Sequence, residues 1–296
     1  MPLASIPSPS SGEFDLPGPL PAVHAYGLTL LVAIIAAIWL TSVRWGRREG
    51  DLDLILRVAV WGVAAGIVGA RLYHVVTSWS DVPDPKWKGA FEVWEGGLGI
   101  WGGILFGVIV GAIVVKRSGG SVLRAMDAVA PGLLLAQAIG RLGNWWNQEL
   151  FGKPTDLPWG LEIDDAHNQD YASGTTFHPT FLYELLWNFV GVVVLIVVSR
   201  RWRIRPPALF SLYVAWYTFG RFFEEQLRVD PSSEFWGMRL NAWVSLLLFI
   251  ASSLFFIWWQ LYDRQLPRAA LPRPRRRQDK RAPAMAVPRA RVRGRR

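Results

Sequence analysis

Gly140-Arg141-Leu142-Gly143-Asn144-Trp145-Trp146-Asn147-Gln148-Glu149-Leu150-Phe151-Gly152 closes an apolar run over residues 122–141. An arginine, several amides and a carboxylate therefore arrive together at the edge of a hydrophobic stretch. Polar groups at such depth are costly and persist mostly where they meet a partner or a ligand. A guanidinium held there points to an anionic lipid headgroup. The stretch reads as the end of a membrane helix, and the chain as an all-α polytopic membrane protein.

Composition agrees. The chain has 296 residues, 51% hydrophobic, with 17 tryptophans and a mean hydropathy of +0.22, which excludes an ordinary soluble domain. Its formal charge of +9 misleads, because residues 264–296 carry 13 Arg/Lys against one Asp and the remainder sums to −3. The basicity belongs to a tail and makes no nucleic-acid-binding face. There is no cysteine, so any thiol chemistry must use a thiol that a substrate brings. No metal or nucleotide motif is evident, and no cofactor is expected. Met1–Pro21 is rich in Pro and Ser, with Glu13 and Asp15 but no Lys or Arg. The basic start of a secretory signal is missing, so the first apolar segment is expected to be a retained anchor.

A spanning helix needs roughly 20 apolar residues. Seven segments qualify, at about 24–43, 58–79, 98–115, 122–141, 179–199, 207–227 and 240–262. The fourth carries Arg124, Asp127 and Pro131, and the sixth is interrupted by Arg221, Glu224 and Glu225. Both are expected to face other helices rather than lipid. Basic clusters follow every odd-numbered segment: Arg44, Arg47 and Arg48; Lys116, Arg117 and Arg124; Arg200, Arg201, Arg203 and Arg205; and the tail. The positive-inside rule puts these in the cytoplasm. Residues 1–21 are then outside, residues 22–262 form a seven-helix domain, and the acidic 142–178 connection is a small extracytoplasmic cap. Residues 263–296 are expected to be a disordered cytoplasmic tail touching anionic inner-leaflet lipid.

Helical rise places the polar residues by depth. Arg71 falls roughly 20 Å from the cytoplasmic end of its helix. Arg141 lies at an outer end, Arg221, Glu225 and Arg228 lie in an outer half, and Tyr26, His178 and the run Gly96-Gly97-Leu98-Gly99-Ile100-Trp101-Gly102-Gly103 lie on the same side. The scattered residues share one depth, which implies a polar site in or near the outer leaflet. Arg221, Glu225 and Arg228 share one helix face; they read either as an internal ion-pair ladder or as part of that site. Two guanidinium groups near one another call for extra negative charge, and phosphate matches a paired-arginine clamp. Gly96, Gly97, Gly102 and Gly103 permit close packing or offer backbone N–H groups to an anion. Asn144 and Asn147 cap a helix or hold a headgroup. Glu149 pairs with an arginine, and Tyr26 also fits an interfacial belt.

These residues resemble the prolipoprotein diacylglyceryl transferase family. Gly140 to Gly152 fits its long signature G-R-x-G-N-(apolar)-(apolar)-N-x-E-x-x-G. The resemblance extends to Tyr26-Gly27, Gly69-Ala70-Arg71-Leu72-Tyr73, Gly96-Gly97-Leu98 and His178-Pro179-Thr180-Phe181-Leu182-Tyr183-Glu184. It also covers the block from Tyr217 through Arg221, Glu225, Arg228 and Asp230, and leaves out the first 20 residues and the tail. It implies transfer of a diacylglyceryl group from phosphatidylglycerol to the lipobox cysteine of a prolipoprotein signal peptide, at the bacterial plasma membrane. A thioether forms and glycerol 1-phosphate leaves. One departure matters: where many members carry a histidine, this chain has Trp101, so no general base can be carried over.

On that resemblance Arg141 binds phosphatidylglycerol with Asn144 and Asn147. Arg221 stabilises the departing phosphate, Glu149 and Glu225 hold the arginines or accept a proton, and Tyr26 and Tyr217 donate hydrogen bonds. Arg71, His178, Arg228 and the four glycines are further substrate-binding candidates. The rival class is a transporter or flippase of an anionic lipid, which would show internal repeats or paired broken helices; no repeat between the halves is convincing.

Overall fold

The structure, a computed structural model, describes residues 5–14, 22–49, 51–93, 96–168 and 170–261. The basic tail, Glu95, Asp15 and most of the expected outer N-terminal segment lie outside the described residues. Eight helices are present among those described: α1 Ala25–Arg48, α2 Leu52–Thr77, the short α3 Lys86–Gly89, α4 Ile100–Arg117, α5 Val122–Trp146, α6 Thr180–Arg201, α7 Ala208–Leu227 and α8 Leu240–Leu261. All seven expected segments are helical. Six, all but α3 and α7, are long and apolar enough to cross a membrane; α7 has 20 residues but carries Arg221, Glu224 and Glu225.

Neighbours run laterally in the order α4, α2, α1, α5, with α6 and α7 both against α5 and α8 against α7. Helices in lipid gain nothing from hiding apolar surface from one another, so packing and small residues must hold them. The α2–α4 contact shows this: a Cβ on Gly102 would lie 2.1 Å from the Gly69 carbonyl oxygen. Leu40, Leu134, Val192, Leu195 and Leu209 fill the centre between α1, α5, α6 and α7. Large apolar side chains such as Val60, Trp61, Val108 and Leu247 point outward and are exposed, as lipid-facing surface must be. Asp127, inconvenient in an apolar segment, is buried and accepts the backbone N–H of Phe210 at 3.0 Å. It thereby occupies one of the orphan donors at the start of α7.

Three two-residue antiparallel hairpins gather at one end of the bundle. They are β1 Glu13–Phe14 with β2 Val23–His24, β3 Leu161–Glu162 with β4 Thr176–Phe177, and β5 Glu234–Phe235 with β6 Met238–Arg239. Ile6 bridges to Leu161, and Gly152 to Arg228, so the N-terminal strap, the long α5–α6 connection and the end of α7 are stitched together. α5 runs to Trp146, five residues past its expected end, and half of the 140–152 stretch is therefore helical. The ring of Tyr26 on α1 packs where a Gly143 side chain would stand, so this glycine admits a close α1–α5 contact.

Candidate active site

Three helix ends converge beneath the hairpins. The last turns of α5 present Arg141 and Asn144, the second turn of α6 presents Glu184, and the C-terminal half of α7 presents Arg221, Glu224 and Glu225. Arg141 donates from Nη1 to Asn144 Oδ1 at 3.1 Å and from Nη2 to Glu184 Oε1 at 2.6 Å. Arg221 Nη1 lies 3.2 Å from Glu184 Oε2 and 3.0 Å from Glu224 Oε2, and its Nη2 lies 2.9 Å from Glu225 Oε2. One carboxylate, 5% exposed, thus joins the two arginines that the sequence put at one depth. Asn144 donates to Glu149 Oε1 at 2.7 Å, which fixes the amide. Tyr26 lies within electrostatic reach of Glu149 and Arg141, and Tyr217 within reach of Glu184, Arg141 and Arg221.

Further charged groups extend the cluster toward the β5–β6 hairpin. Glu225, fully buried, also accepts from Arg239 Nε at 2.9 Å. Arg239 and Arg228 hold the two oxygens of Asp230 at 2.9 and 2.6 Å. Burial of Asp230 pulls its carboxyl upward, but these two arginines pull it further down, to below the ordinary aspartate range.

The cluster holds four arginines (141, 221, 228 and 239) and four carboxyl groups (184, 224, 225 and 230). Glu184 and Glu224 meet at one nitrogen of Arg221, 3.2 and 3.0 Å from it. Each guanidinium has five N–H donors in a planar fork, and the contacts above leave donors for an anionic oxygen.

The other candidates fall elsewhere. The Arg71 guanidinium, 5% exposed, donates to the carbonyls of Gly89, Ala90, Gly96 and Gly97. Gly96 and Gly97 have φ of +85° and +64°, the left-handed turn that brings their carbonyls to Arg71. Gly102 and Gly103 face α2 and serve the helix contact. No hydrogen bond or ion pair among the described residues joins this group to Arg141, and α1 stands between the two. Helical rise assigns them one depth but carries no information on their lateral separation. Asn147 closes α5, its N–H bonding the Gly143 carbonyl at 3.0 Å. It is exposed and lines a polar cavity of about 370 Å³ with Ser10, Glu13, His24 and Glu149. His178 pairs with the Tyr183 hydroxyl at 3.1 Å, and its carbonyl accepts from Gly152 at 3.0 Å. It sets the return of the chain into α6 rather than reaching the arginines. Arg228 pairs with Asp230 at 2.6 Å, on the far side of Glu225 from Arg221.

Glu184, Glu224 and Arg239 were not among the expected site residues. A signal for the first existed: Glu184 is a lone carboxylate inside an apolar run, which demands a long-range cation. Trp101, second in α4, is 60% exposed.

The sequence pattern of the family described as prolipoprotein diacylglyceryl transferase matches residues 14–258. A phosphatidylglycerol–prolipoprotein diacylglyceryl transferase of Bifidobacterium adolescentis is 42% identical over 272 residues, covering 87% of this chain and 80% of the relative. That of Streptomyces griseus is 46% identical over 262 residues, covering 87% and 78%. The second such protein of Streptomyces coelicolor is 49% identical over 263 residues, covering 85% and 80%. With a paired-arginine site inside a helical membrane bundle and identities of this size along most of its length, this chain belongs to the prolipoprotein diacylglyceryl transferase family.

Proposed function

We propose that this membrane enzyme transfers the diacylglyceryl group of phosphatidylglycerol to the lipobox cysteine of a prolipoprotein, forming a thioether and releasing glycerol 1-phosphate. The observation that carries this reading is the convergence of Arg141 and Arg221 on Glu184. The phosphodiester binds between the two arginines as a monoanion. Arg141 and Asn144 hold it, with Glu149 aiming the amide. Arg221 meets the charge that develops on the leaving oxygen, where a fixed donor acts most strongly. Tyr26 and Tyr217 flank the two arginines as hydrogen-bond donors. Glu225, Arg228, Arg239 and Asp230 keep Arg221 in place, and Arg71 with Gly96 and Gly97 holds the loop before α4.

All seven long helices cross the bilayer on this reading. The hairpin end and residues 1–21 face outward, the basic connections and the tail face the cytoplasm, and the tail contacts anionic lipid. The membrane is a bacterial plasma membrane.

The test is direct. The purified chain is incubated with phosphatidylglycerol and a lipobox peptide, and the peptide is weighed. A gain of one diacylglyceryl unit, lost in Arg141→Ala, is the expected result. Movement of labelled lipid between leaflets with no mass gain on the peptide would overturn the proposal.

A further inference from the structure

A phosphodiester held by Arg141 has two ends. The diacylglyceryl end needs apolar surface, so the free glycerol end points the other way, along α5 toward the hairpins. There the chain builds a polar chamber of about 370 Å³. Its floor is Asn147, Gln148 and Glu149, directly after α5, and its roof is the N-terminal strap over residues 9–13. Asn147 is three residues, about 4.5 Å of helical rise, beyond Asn144. Asn144 joins the two sides: its Oδ1 accepts from Arg141 at 3.1 Å, and its Nδ2 donates to Glu149 Oε1 at 2.7 Å.

The strap is tied at both ends. The Pro9 carbonyl accepts from Gln148 Nε2 at 2.9 Å, and the Gly12 carbonyl accepts the Ala25 N–H at 2.7 Å. Between these bonds it crosses closely over the floor, since a Cβ on Gly12 would stand 3.4 Å from Asn147 Oδ1. Gln148 also donates to Asp164 Oδ2 at 2.6 Å and accepts the Asp164 N–H at 2.8 Å. These bonds hold Gln148 at φ +50°, and Leu150 follows at φ +59°. The left-handed region is costly for residues with a side chain and persists where the surroundings enforce it. Glu149 stands between the two and is thereby turned back to Asn144 and the chamber. Residues 9–13 precede the family match, which begins at residue 14, so the roof comes from outside the matched stretch.

The lining decides what the chamber takes. No lysine or arginine among the described residues lines it, so a second phosphate would find no fixed cation. Glu13 lies 3.3 Å from His24, the Ser11 hydroxyl accepts the Glu13 N–H within the strap, and Gln148 is committed to the strap and Asp164. Ser10 and Asn147 have no side-chain hydrogen bond to another described residue, and a hydroxyl and an amide each offer a donor and an acceptor. A diol uses both kinds of group, whereas an ammonium has donors only. We infer that this chamber holds the free glycerol end of the phosphatidylglycerol headgroup, and that Ser10 and Asn147 are the specificity-determining residues that read its two hydroxyls. This rests on the transferase reading above. The phosphate and the glycerol beyond it are then held by one connected set, Arg141–Asn144–Glu149, closed over by the strap.

Two lipids test this: phosphatidylglycerol, and phosphatidylpropanol, which has the same acyl chains and phosphodiester but neither headgroup hydroxyl. Full-length protein in mixed micelles transfers to a lipobox peptide, and kcat/KM for each lipid is read by peptide mass. Wild type is expected to prefer phosphatidylglycerol by about 10-fold or more, the worth of two hydrogen bonds. Ser10→Ala and Asn147→Ala should each shrink that preference about 3-fold, and the double variant should bring it close to parity. The preference is a ratio within one protein, so a loss of folded material cancels from it. A wild type that uses both lipids equally, or variants that slow both lipids alike, overturn the inference. Free glycerol 1-phosphate carries the same diol. If the chamber served that product alone, the variants would weaken inhibition by glycerol 1-phosphate and leave the lipid preference intact, which also overturns the headgroup assignment. Wild type that transfers from neither lipid would instead sink the transferase reading.

Discussion

Arg141 on α5 and Arg221 on α7 close on opposite oxygens of a single carboxylate, that of Glu184 on α6. Three helices are thereby held at one spacing by one buried group. Pairing of this kind is a weak source of net stability but costly to break, because the stranded charge stays buried. Its use is to preset the distance between two guanidinium groups before a phosphate arrives.

Arg141→Lys separates charge from geometry. Arg141 reaches Asn144 and Glu184 together through two nitrogens, which a lysine point charge cannot do. The expected result is a loss of about 10²-fold in transfer rate, comparable to removing one fixed donor from a site of developing charge. Thermal unfolding in detergent should change little, since the charge is kept. A Lys variant with wild-type transfer would remove the fork geometry from the mechanism.

Arg71 is predicted to act on backbone and not on lipid. Its guanidinium serves four carbonyls between Gly89 and Gly97. Each such bond contributes about 0.5–1.5 kcal/mol, so Arg71→Met should raise amide hydrogen exchange across 89–99 by about 10-fold or more. The KM for phosphatidylglycerol should stay within about 2-fold of wild type, well below the effect of losing a charged hydrogen bond. Unchanged exchange with a raised KM would mean that Arg71 touches the lipid.

The contrast between Arg71 and Arg221 shows what the sequence could reveal. Apolar run length discloses the helices, because lipid enforces it. Rise per residue then gives depth. Azimuth and lateral order arise from contacts between segments far apart in the chain, so Arg71 looked equivalent to Arg141 although α1 separates them. Glu184 was visible as a motif letter, but its role depends on partners on two other helices. The end of α5 was misplaced for a similar reason. Gly143 lies past the expected helix end, and only the fold shows the Tyr26 ring filling its face.

Trp187 and Trp216 lock α6 to α7 reciprocally. Each indole N–H donates to the other residue's carbonyl, at 3.0 and 3.1 Å, and the rings stack 4.4 Å apart. The absent side chains of Gly220 and Gly191 make room for them: a Cβ on either would lie 2.3 Å from the opposing indole nitrogen. Gly220→Ala is predicted to destabilise by about 1–3 kcal/mol, as overpacking does. Trp187→Ala opens the space that alanine needs, so the double variant should be more stable than the sum of the single losses. Additive losses in thermal unfolding would show that the clash is relieved elsewhere.

Asp230 gives the α7–α8 junction a dependence on pH. Arg228 and Arg239 outweigh its burial and lower its carboxyl below the ordinary value, which is about 3.9 in an unfolded chain. A depressed folded value means that the unfolded chain takes up the proton first on acidification. The contribution to stability is therefore fully present above the ordinary value and is lost as pH falls through the folded one. Asp230→Asn removes the contribution at every pH. The gap in unfolding temperature between wild type and Asp230→Asn should be constant from about pH 7 to 5 and should close as the pH drops below about 4. If the gap persists unchanged into strong acid, the carboxylate is not what the two arginines hold, and the junction owes its stability to the Arg239–Glu225 contact instead.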